Sequence, residues 1–213
     1  MDKYTEPEYS SIAMVTIDVQ RDTLKGQPFE VKGTSEMFPA LHKLVQAFRQ
    51  AGKPIVHIVR LYRPDGSNAD LCRKSMIEDD AKLFQPGTEG CELASELLPD
   101  PDLKLDTDLL LSGGVQKFSD NEVVIYKPRW GAFYKTPLED HLKQLDVTTL
   151  AFAGCNFPNC PRASIYEASE RDFKIILVED TMSFLDKRDK IEMENIGVNF
   201  FKAEELENEI TNK

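Results

Sequence analysis

The chain has little cysteine, histidine or tryptophan: four, three and one among 213 residues. Cys72, Cys91, Cys155 and Cys160 are too few to staple a chain this long, which excludes a disulfide scaffold. None forms a CxxC pair, and His42, His57 and His141 stand singly, so no metal site is expected. No apolar stretch approaches the roughly 18–20 residues that span a bilayer. Met1–Ser11 is polar and acidic, without the basic start and apolar run of a signal peptide. Positive charge is scarce as well: 26 Lys and Arg against 37 Asp and Glu leave −11. Such a chain has no general attraction to a phosphate backbone or an anionic membrane, so neither nucleic acid nor a membrane is an expected partner. The expected class is a cytoplasmic protein that needs no cofactor and acts on a small molecule.

What is present is enough for a core. Apolar residues make up 41% of the chain, with 12 Phe and 6 Tyr, and the length suits a single domain over residues 1–213. Short apolar runs alternate with helical patterns. Ile12–Ile17, Pro54–Leu61, Glu122–Tyr126, Thr148–Gly154, Lys174–Glu179 and Val198–Phe201 read as strands. A helix runs from a Ser35 cap to Ala51, with Gly52 closing it, and others cover Thr136–Gln144, Pro161–Arg171 and Lys187–Ile196. Tyr62 to Pro101 is broken by turn signals, and Glu204–Lys213 reads as a solvated helix end. Strands apolar on both faces, bounded by helices, predict an α/β fold: a three-layer α/β/α sandwich with a mainly parallel six-stranded sheet.

In open parallel sheets, ligands bind beyond the carboxyl ends of the strands. That rule selects Asp18 after the first strand, Lys127 after EVVIY, and Gly154–Cys160 after TTLAFAG. Each has a plain alternative: a strand-end turn residue, a solvated lysine, a cysteine that only packs. Cys160 opens a helix, where free N–H groups and the dipole lower a thiol's pKa. Together, an acid, an amine and a thiol converging on one crevice supply a base, a charge stabiliser and a nucleophile.

At these residues the sequence resembles the isochorismatase-like cysteine hydrolases, which include nicotinamidases, N-carbamoylsarcosine amidases, ureidoacrylate amidohydrolases and biuret hydrolases. The resemblance runs from about Ile12 to Phe201 and rests on IDVQRD, KPRWGAFYKTPLE and AGCNFPNCPRASIYEASERDF. It implies Asp18 as acid/base with Gln20 as a nearby polar position, Lys127 as the lysine, and Cys160 as nucleophile. It implies an oxyanion hole from the backbone N–H groups of Asn156 and Cys160, with a cis peptide bond at Cys155–Asn156. It also implies a homodimer or homotetramer.

Two departures bear on substrate. The metal motif that nicotinamidases carry after the second strand is absent from HIVRLYRPDGSNADLCRK, and His57 reads as a packed strand residue. Phe157 stands where many relatives have a hydroxyl residue three places before the nucleophile. Specificity is expected from a pocket wall of Arg60, Trp130, Phe133, Phe157 and Arg162 together with Gln20, with Arg63, Arg129 and Tyr62 nearby; each arginine could equally pair with a surface acid. The Asp65–Met76 segment either covers the site or only joins two elements. Cys72 and Cys91 are expected to be buried or half-buried, and Cys160 to react with iodoacetamide near neutral pH faster than either. The leading expectation is hydrolysis of a C–N bond in a small amide, carbamoyl or ureido compound through a thioester. The alternatives are vinyl-ether hydrolysis of an isochorismate-like compound and a non-catalytic binding or scaffold protein on the same fold.

Overall fold

The computed structural model describes residues 2–211. Its frame is one seven-stranded sheet: β1 (Ile12–Ile17), β2 (Ile55–Val59), β3 (Val115–Ser119), β4 (Glu122–Tyr126), β5 (Thr149–Gly154), β6 (Lys174–Met182) and β7 (Asn199–Phe201). The spatial order is β3-β4-β2-β1-β5-β6-β7, and every pairing is parallel except β3 with β4. The six expected strands are all present. The seventh, β3, is VQKFS at the sheet's edge, only half-buried and polar, so it carries no apolar run to announce it.

β1 is buried over its full length because both faces are covered. Ile12 and Met14 pack with Leu41, Leu44, Val45 and Phe48 of α1 (Phe38–Gln50) and with Leu206 and Ile210 from the chain's last helix. Ala13, Val15 and Ile17 point the other way, among Leu138 and Leu142 of one helix, Ile165 and Ala168 of a second and Met193 of a third. That alternation is the strand's twofold period read by two helical layers. A third apolar cluster ties the long 61–111 segment to the ends of β2 and β4 through Val59, Leu61, Phe84 and Val124.

The remaining helices are α2 (Leu71–Glu78), α3 (Thr107–Leu111), α4 (Leu138–Gln144), α5 (Cys160–Ser169), α6 (Lys187–Glu194) and α7 (Ala203–Thr211). α2 lies in the stretch that sequence reasoning left as broken turns. α1 begins at Phe38 rather than beside Ser35, with Pro39 in its first turn, and Gly52 follows with φ +64°. The acidic tail is not a solvated end: α7 buries Ala203, Leu206 and Ile210, exposes Glu204 and Glu205, and leaves Glu207 and Glu209 half-buried. Asn212 and Lys213, at the end of that expected segment, lie outside the described residues. Among the described residues, no helix is long and apolar enough to cross a membrane.

The sheet's direction of growth reverses at β1. β2 lies on one side of it and β5 on the other. Such a switch point opens a crevice beyond the strand ends. Asp18 follows β1 and the Gly154–Cys160 turn follows β5, so both feed that crevice, with Lys127 entering from the end of β4.

Candidate active site

Three backbone connections aim three side chains at one point. Asp18 turns out of β1 with φ +52°, a left-handed conformation that Asp tolerates, and its amide donates to the Ile58 carbonyl at 2.9 Å. Lys127 continues the register of β4, its amide donating to the Val59 carbonyl at 3.0 Å. Gly154 closes β5 with φ +130°, and a Cβ there would stand 2.2 Å from the Ile17 carbonyl oxygen. Only glycine lets β1 and β5 come that close as the chain turns. The Cys155–Asn156 peptide bond that follows is cis, as the resemblance implied. The Phe157 amide then donates to the Ser183 carbonyl at 2.9 Å, and Asn159 Nδ2 donates to Asn156 Oδ1 at 2.9 Å. Those bonds fix the turn that delivers Cys160 as the first residue of α5, with Pro161 behind it.

Lys127 Nζ lies 2.9 Å from Asp18 Oδ2 and 3.2 Å from Cys160 Sγ, and it reaches the Arg129 carbonyl at 3.3 Å. The lysine is fully buried, and Asp18 and Cys160 are 6% and 8% exposed, so this charge cluster is nearly dry. Burial works against the lysine's charge, yet Asp18 and Cys160 outweigh it and hold its pKa above the ordinary value. Burial pushes the Cys160 thiol up to about 12; the Asp18 carboxylate adds to that rise and Lys127 opposes it. At rest the cluster is therefore a neutral thiol beside a carboxylate–ammonium pair. This runs against the expectation of a thiol lowered by its helix start: removal from water and a neighbouring anion both raise it. The Cys155 thiol is likewise raised to about 12 by burial and by Asp18, but its S–H donates to the Asp18 carbonyl at 3.2 Å rather than facing Lys127.

Two sets of valences are left open. Asp18 Oδ1 is buried and has no hydrogen-bond partner among the described residues. The amides of Asn156 and Cys160 donate to no carbonyl there either. Buried polar groups are normally bonded, so these orphans mark where a ligand belongs. They border a cavity of about 240 Å³ lined also by Thr23, Phe29, Val31, Arg73, Met76 and Phe84. A larger cleft of about 640 Å³ between the N-terminal segment and the ends of α1 and α7 has no strand end, cysteine or histidine in its walls.

Most of the expected pocket wall lies elsewhere. Gln20 is buried with its amide used up: Nε2 donates to the Arg60 and Cys91 carbonyls, and Oε1 accepts from the Arg60 amide. The Arg60 guanidinium pairs with Asp70, donates to the Lys127 and Arg129 carbonyls and stacks over Tyr62. Arg60 therefore braces the Lys127 loop from behind. Arg162 bridges Asp189 and Glu192 of α6. Phe157 is buried in the core, and Phe133 packs on Phe173 with ring centroids 5.8 Å apart. Trp130 borders a shallow surface groove with Arg162 and Tyr166 rather than the cavity, and the guanidinium of Arg73, which does line the cavity, lies 5.3 Å over its ring. A strand-end position fixes where the backbone goes and not where a side chain turns: carbonyls and Asp70 hold Gln20 and Arg60, the acids of α6 hold Arg162, and the core takes Phe133 and Phe157.

Asp65–Met76 does reach the site, since α2 supplies Arg73 and Met76 to the cavity. Phe29, Met76 and Phe84 escaped sequence reasoning; their one signal is being isolated apolar residues in turn-rich stretches. Cys72 is exposed on α2 rather than buried, whereas Cys91 is buried as expected, with its S–H donating to the Thr88 carbonyl at 3.2 Å. His57 sits fully buried within β2, between Thr16 and Glu122, away from the cavity. Among the described residues, no three His, Cys, Asp or Glu side chains cluster as metal ligands would.

The isochorismatase domain model matches residues 12–196. A protein of Arabidopsis thaliana named as a probable inactive nicotinamidase is 26% identical over 197 residues, covering 89% of this chain and 91% of that one. The N-carbamoylsarcosine amidase of an Arthrobacter species is 27% identical over 171 residues, covering 80% of this chain and 58% of that enzyme's length. Among solved structures, an isochorismatase family protein of Desulfovibrio vulgaris superposes with a TM-score of 0.79 at 26% identity, over 94% of this chain and 98% of the other. With the match spanning β1 to α6 and the fold shared, the chain belongs to the isochorismatase family.

Proposed function

We propose that the protein is a cysteine-dependent hydrolase cleaving a non-peptide C–N bond in a small amide, carbamoyl or ureido compound. The observation that carries this reading is the convergence of Asp18, Lys127 and Cys160 within 2.9 and 3.2 Å at the edge of a cavity. A relative named an amidase, which spans more length than this chain matches, supports the reaction class.

In this reading the thiol stays protonated until substrate arrives. Sγ then attacks the carbonyl carbon as its proton passes to Asp18, so no free thiolate has to be stored in a buried site. Lys127 remains charged and stabilises both the attacking sulfur and the Asp18 carboxylate. The carbonyl oxygen takes the electron pair and becomes an oxyanion between the Asn156 and Cys160 amides; loss of one such donor costs on the order of 100-fold or more in rate. As the oxyanion collapses, the C–N bond breaks and Asp18 returns its proton to the leaving nitrogen. The amine departs, leaving a thioester on Cys160. Asp18 then takes a proton from water, whose oxygen attacks the thioester, and the thiol regains that proton as the acid leaves.

The test is ammonia release from a panel of primary amides, carbamoyl compounds and ureas, with Cys160→Ala beside the wild type and an isochorismate assay in parallel. Turnover of one C–N substrate that disappears in the variant is the expected result. Turnover that survives Cys160→Ala, or cleavage of the vinyl ether alone, overturns the reading.

A further inference from the structure

Several arginines near the carboxyl ends of the strands are already committed: Arg60 and Arg129 share Asp70, Arg162 is held by Asp189 and Glu192, and Arg21 pairs with Glu89. Arg73 differs. It is half-buried on the first turn of α2, lines the cavity beside Cys160, and has no carboxylate within ion-pair distance among the described residues. In a chain of net charge −11, a guanidinium beside a small cavity with no acid paired to it is conspicuous. Its contact is the Trp130 ring, 5.3 Å from the guanidinium carbon. An aromatic shelf orients the plane of the fork without using its N–H donors, so they stay available. Its surroundings do not neutralise it: Tyr62, nearby, is kept protonated, its pKa raised chiefly by burial. The other ionisable group in the cavity wall besides Asp18 and the cysteines is Glu30, exposed and engaged by the Gly26 amide at 2.8 Å.

We propose that Arg73 is the specificity-determining residue of this site, binding a carboxylate carried by the substrate, so that the preferred substrates are small amido or ureido acids rather than neutral amides. The proposal rests on the hydrolase reading for its chemistry, though its electrostatics do not need catalysis. The cavity, about 240 Å³, has room for a compound of this size with the scissile carbonyl at Cys160 and an anionic end toward α2. The Asp18 charge is balanced by Lys127, so the field across the cavity is set by Arg73 at one wall and Glu30 at another. A planar two-donor fork matches a carboxylate in geometry as well as charge, so lysine in its place would retain charge and lose the bidentate fit.

The probes are N-carbamoylglycine and 3-ureidopropionate, each against its own neutral carboxamide. Binding is measured by calorimetry to Cys160→Ala, which removes turnover and leaves the cavity's charges in place. The acids are expected to bind on the order of tenfold or more tighter than the carboxamides, the size of a charge-assisted hydrogen bond. Adding Arg73→Gln should erase that ratio by weakening the acids alone, and Arg73→Lys should restore part of it. In the catalytically intact chain, Arg73→Gln should raise KM for an acid with kcat nearly unchanged. Equal binding of acids and carboxamides, binding of neither, or a preference that survives Arg73→Gln overturns the proposal. Preferential binding without ammonia release from any probe leaves Arg73's role standing and counts against the hydrolase reading instead.

Discussion

Two buried charge clusters sit at opposite ends of β4, built from similar side chains, and they differ in what they leave unbonded. At its start, Glu122 accepts from Arg49 Nε at 2.8 Å and Nη2 at 2.6 Å, and it contacts His57 Nε2 at 2.8 Å. His57 Nδ1 meets Thr16 Oγ1 at 2.7 Å, and Arg49 also donates to the Leu97 carbonyl. Every side-chain polar atom of Glu122 and His57 is used, and the cavity of about 210 Å³ that Glu122 borders has no cysteine or histidine among its described lining residues. Beyond the other end, Asp18, Lys127 and Cys160 are as deeply buried but leave Asp18 Oδ1 and two backbone amides without partners, facing a cavity. A closed cluster holds the fold, whereas an open one is completed by a ligand. Burial and charge alone do not distinguish structure from chemistry, nor does an orphaned oxygen alone, since Asp70 Oδ1 is also without a hydrogen bond among the described residues; an orphan in the wall of the Cys160 cavity does.

The largest effect should separate the two clusters on activity. Asp18→Asn should lower turnover by roughly 100-fold to 10,000-fold, the usual worth of a positioned general acid–base. It also leaves Lys127 buried without its counter-ion, at a cost of about 3–5 kcal/mol, so turnover is read per folded molecule, with circular dichroism giving the folded fraction. If activity instead falls only in proportion to lost fold, the open cluster is structural too.

Glu122→Gln should do the reverse. Breaking a buried pair by removing one partner costs about 3–5 kcal/mol, read as a lower urea midpoint, while kcat per folded molecule stays within about twofold. The wild type should also show a matching pH signature. Burial would raise the Glu122 carboxyl, but Arg49 and His57 bring it down to about 2. A carboxyl lower in the folded than in the unfolded chain adds stability above its unfolded pKa of roughly 4.3. That stability drains away as pH falls toward about 2. Urea midpoints between pH 6 and pH 2 should fall steeply in the wild type and less in the variant; parallel curves would break the assignment.

A smaller effect concerns the thiols. With Cys160 held near 12 and buried, iodoacetamide at pH 7 should label exposed Cys72 first. Labelling of Cys160 should accelerate about tenfold per pH unit through pH 9, following the thiolate fraction. Rapid Cys160 labelling at pH 7 would mean a stored thiolate, and the coupled proton transfer proposed above would be unnecessary. The least effect should come from Arg162→Gln. Its pairs with α6 are partly solvated, so the loss should stay under about 1 kcal/mol, with substrate preference unchanged by competition assay.

The sequence made much of this legible, unevenly. IAMVTI, EVVIY and TTLAFAG are apolar on both sides because two helical layers cover them, and the residue after each run then lands at a strand end. That placement marks Asp18 and Lys127 directly; Cys160 lies further on, where a helix starts, and its role as nucleophile, like the place of Gln20, comes from the resemblance. For Gln20 and Arg60 the structure shows another task, because position along the chain says nothing about which way a side chain turns or whether Asp70 already claims it. Arg73 and Met76 are legible only as part of the Asp65–Met76 segment, and Phe29 and Phe84 not at all, for a different reason. Two lie on α2 and two in loops whose approach is set by long-range packing, and no local period records that. β3 escaped because an edge strand needs only one covered face.

The central claim is that Cys160 attacks a carbonyl and carries the acyl group. It is tested most directly by quenching turnover of an active C–N substrate in acid within milliseconds and weighing the peptide that contains Cys160. The account predicts that peptide heavier by the substrate's acyl group less the one hydrogen it replaces, with the adduct absent in Cys160→Ala and discharged by hydroxylamine as the hydroxamate. Turnover that proceeds with the Cys160 peptide unmodified and no hydroxamate formed would contradict it.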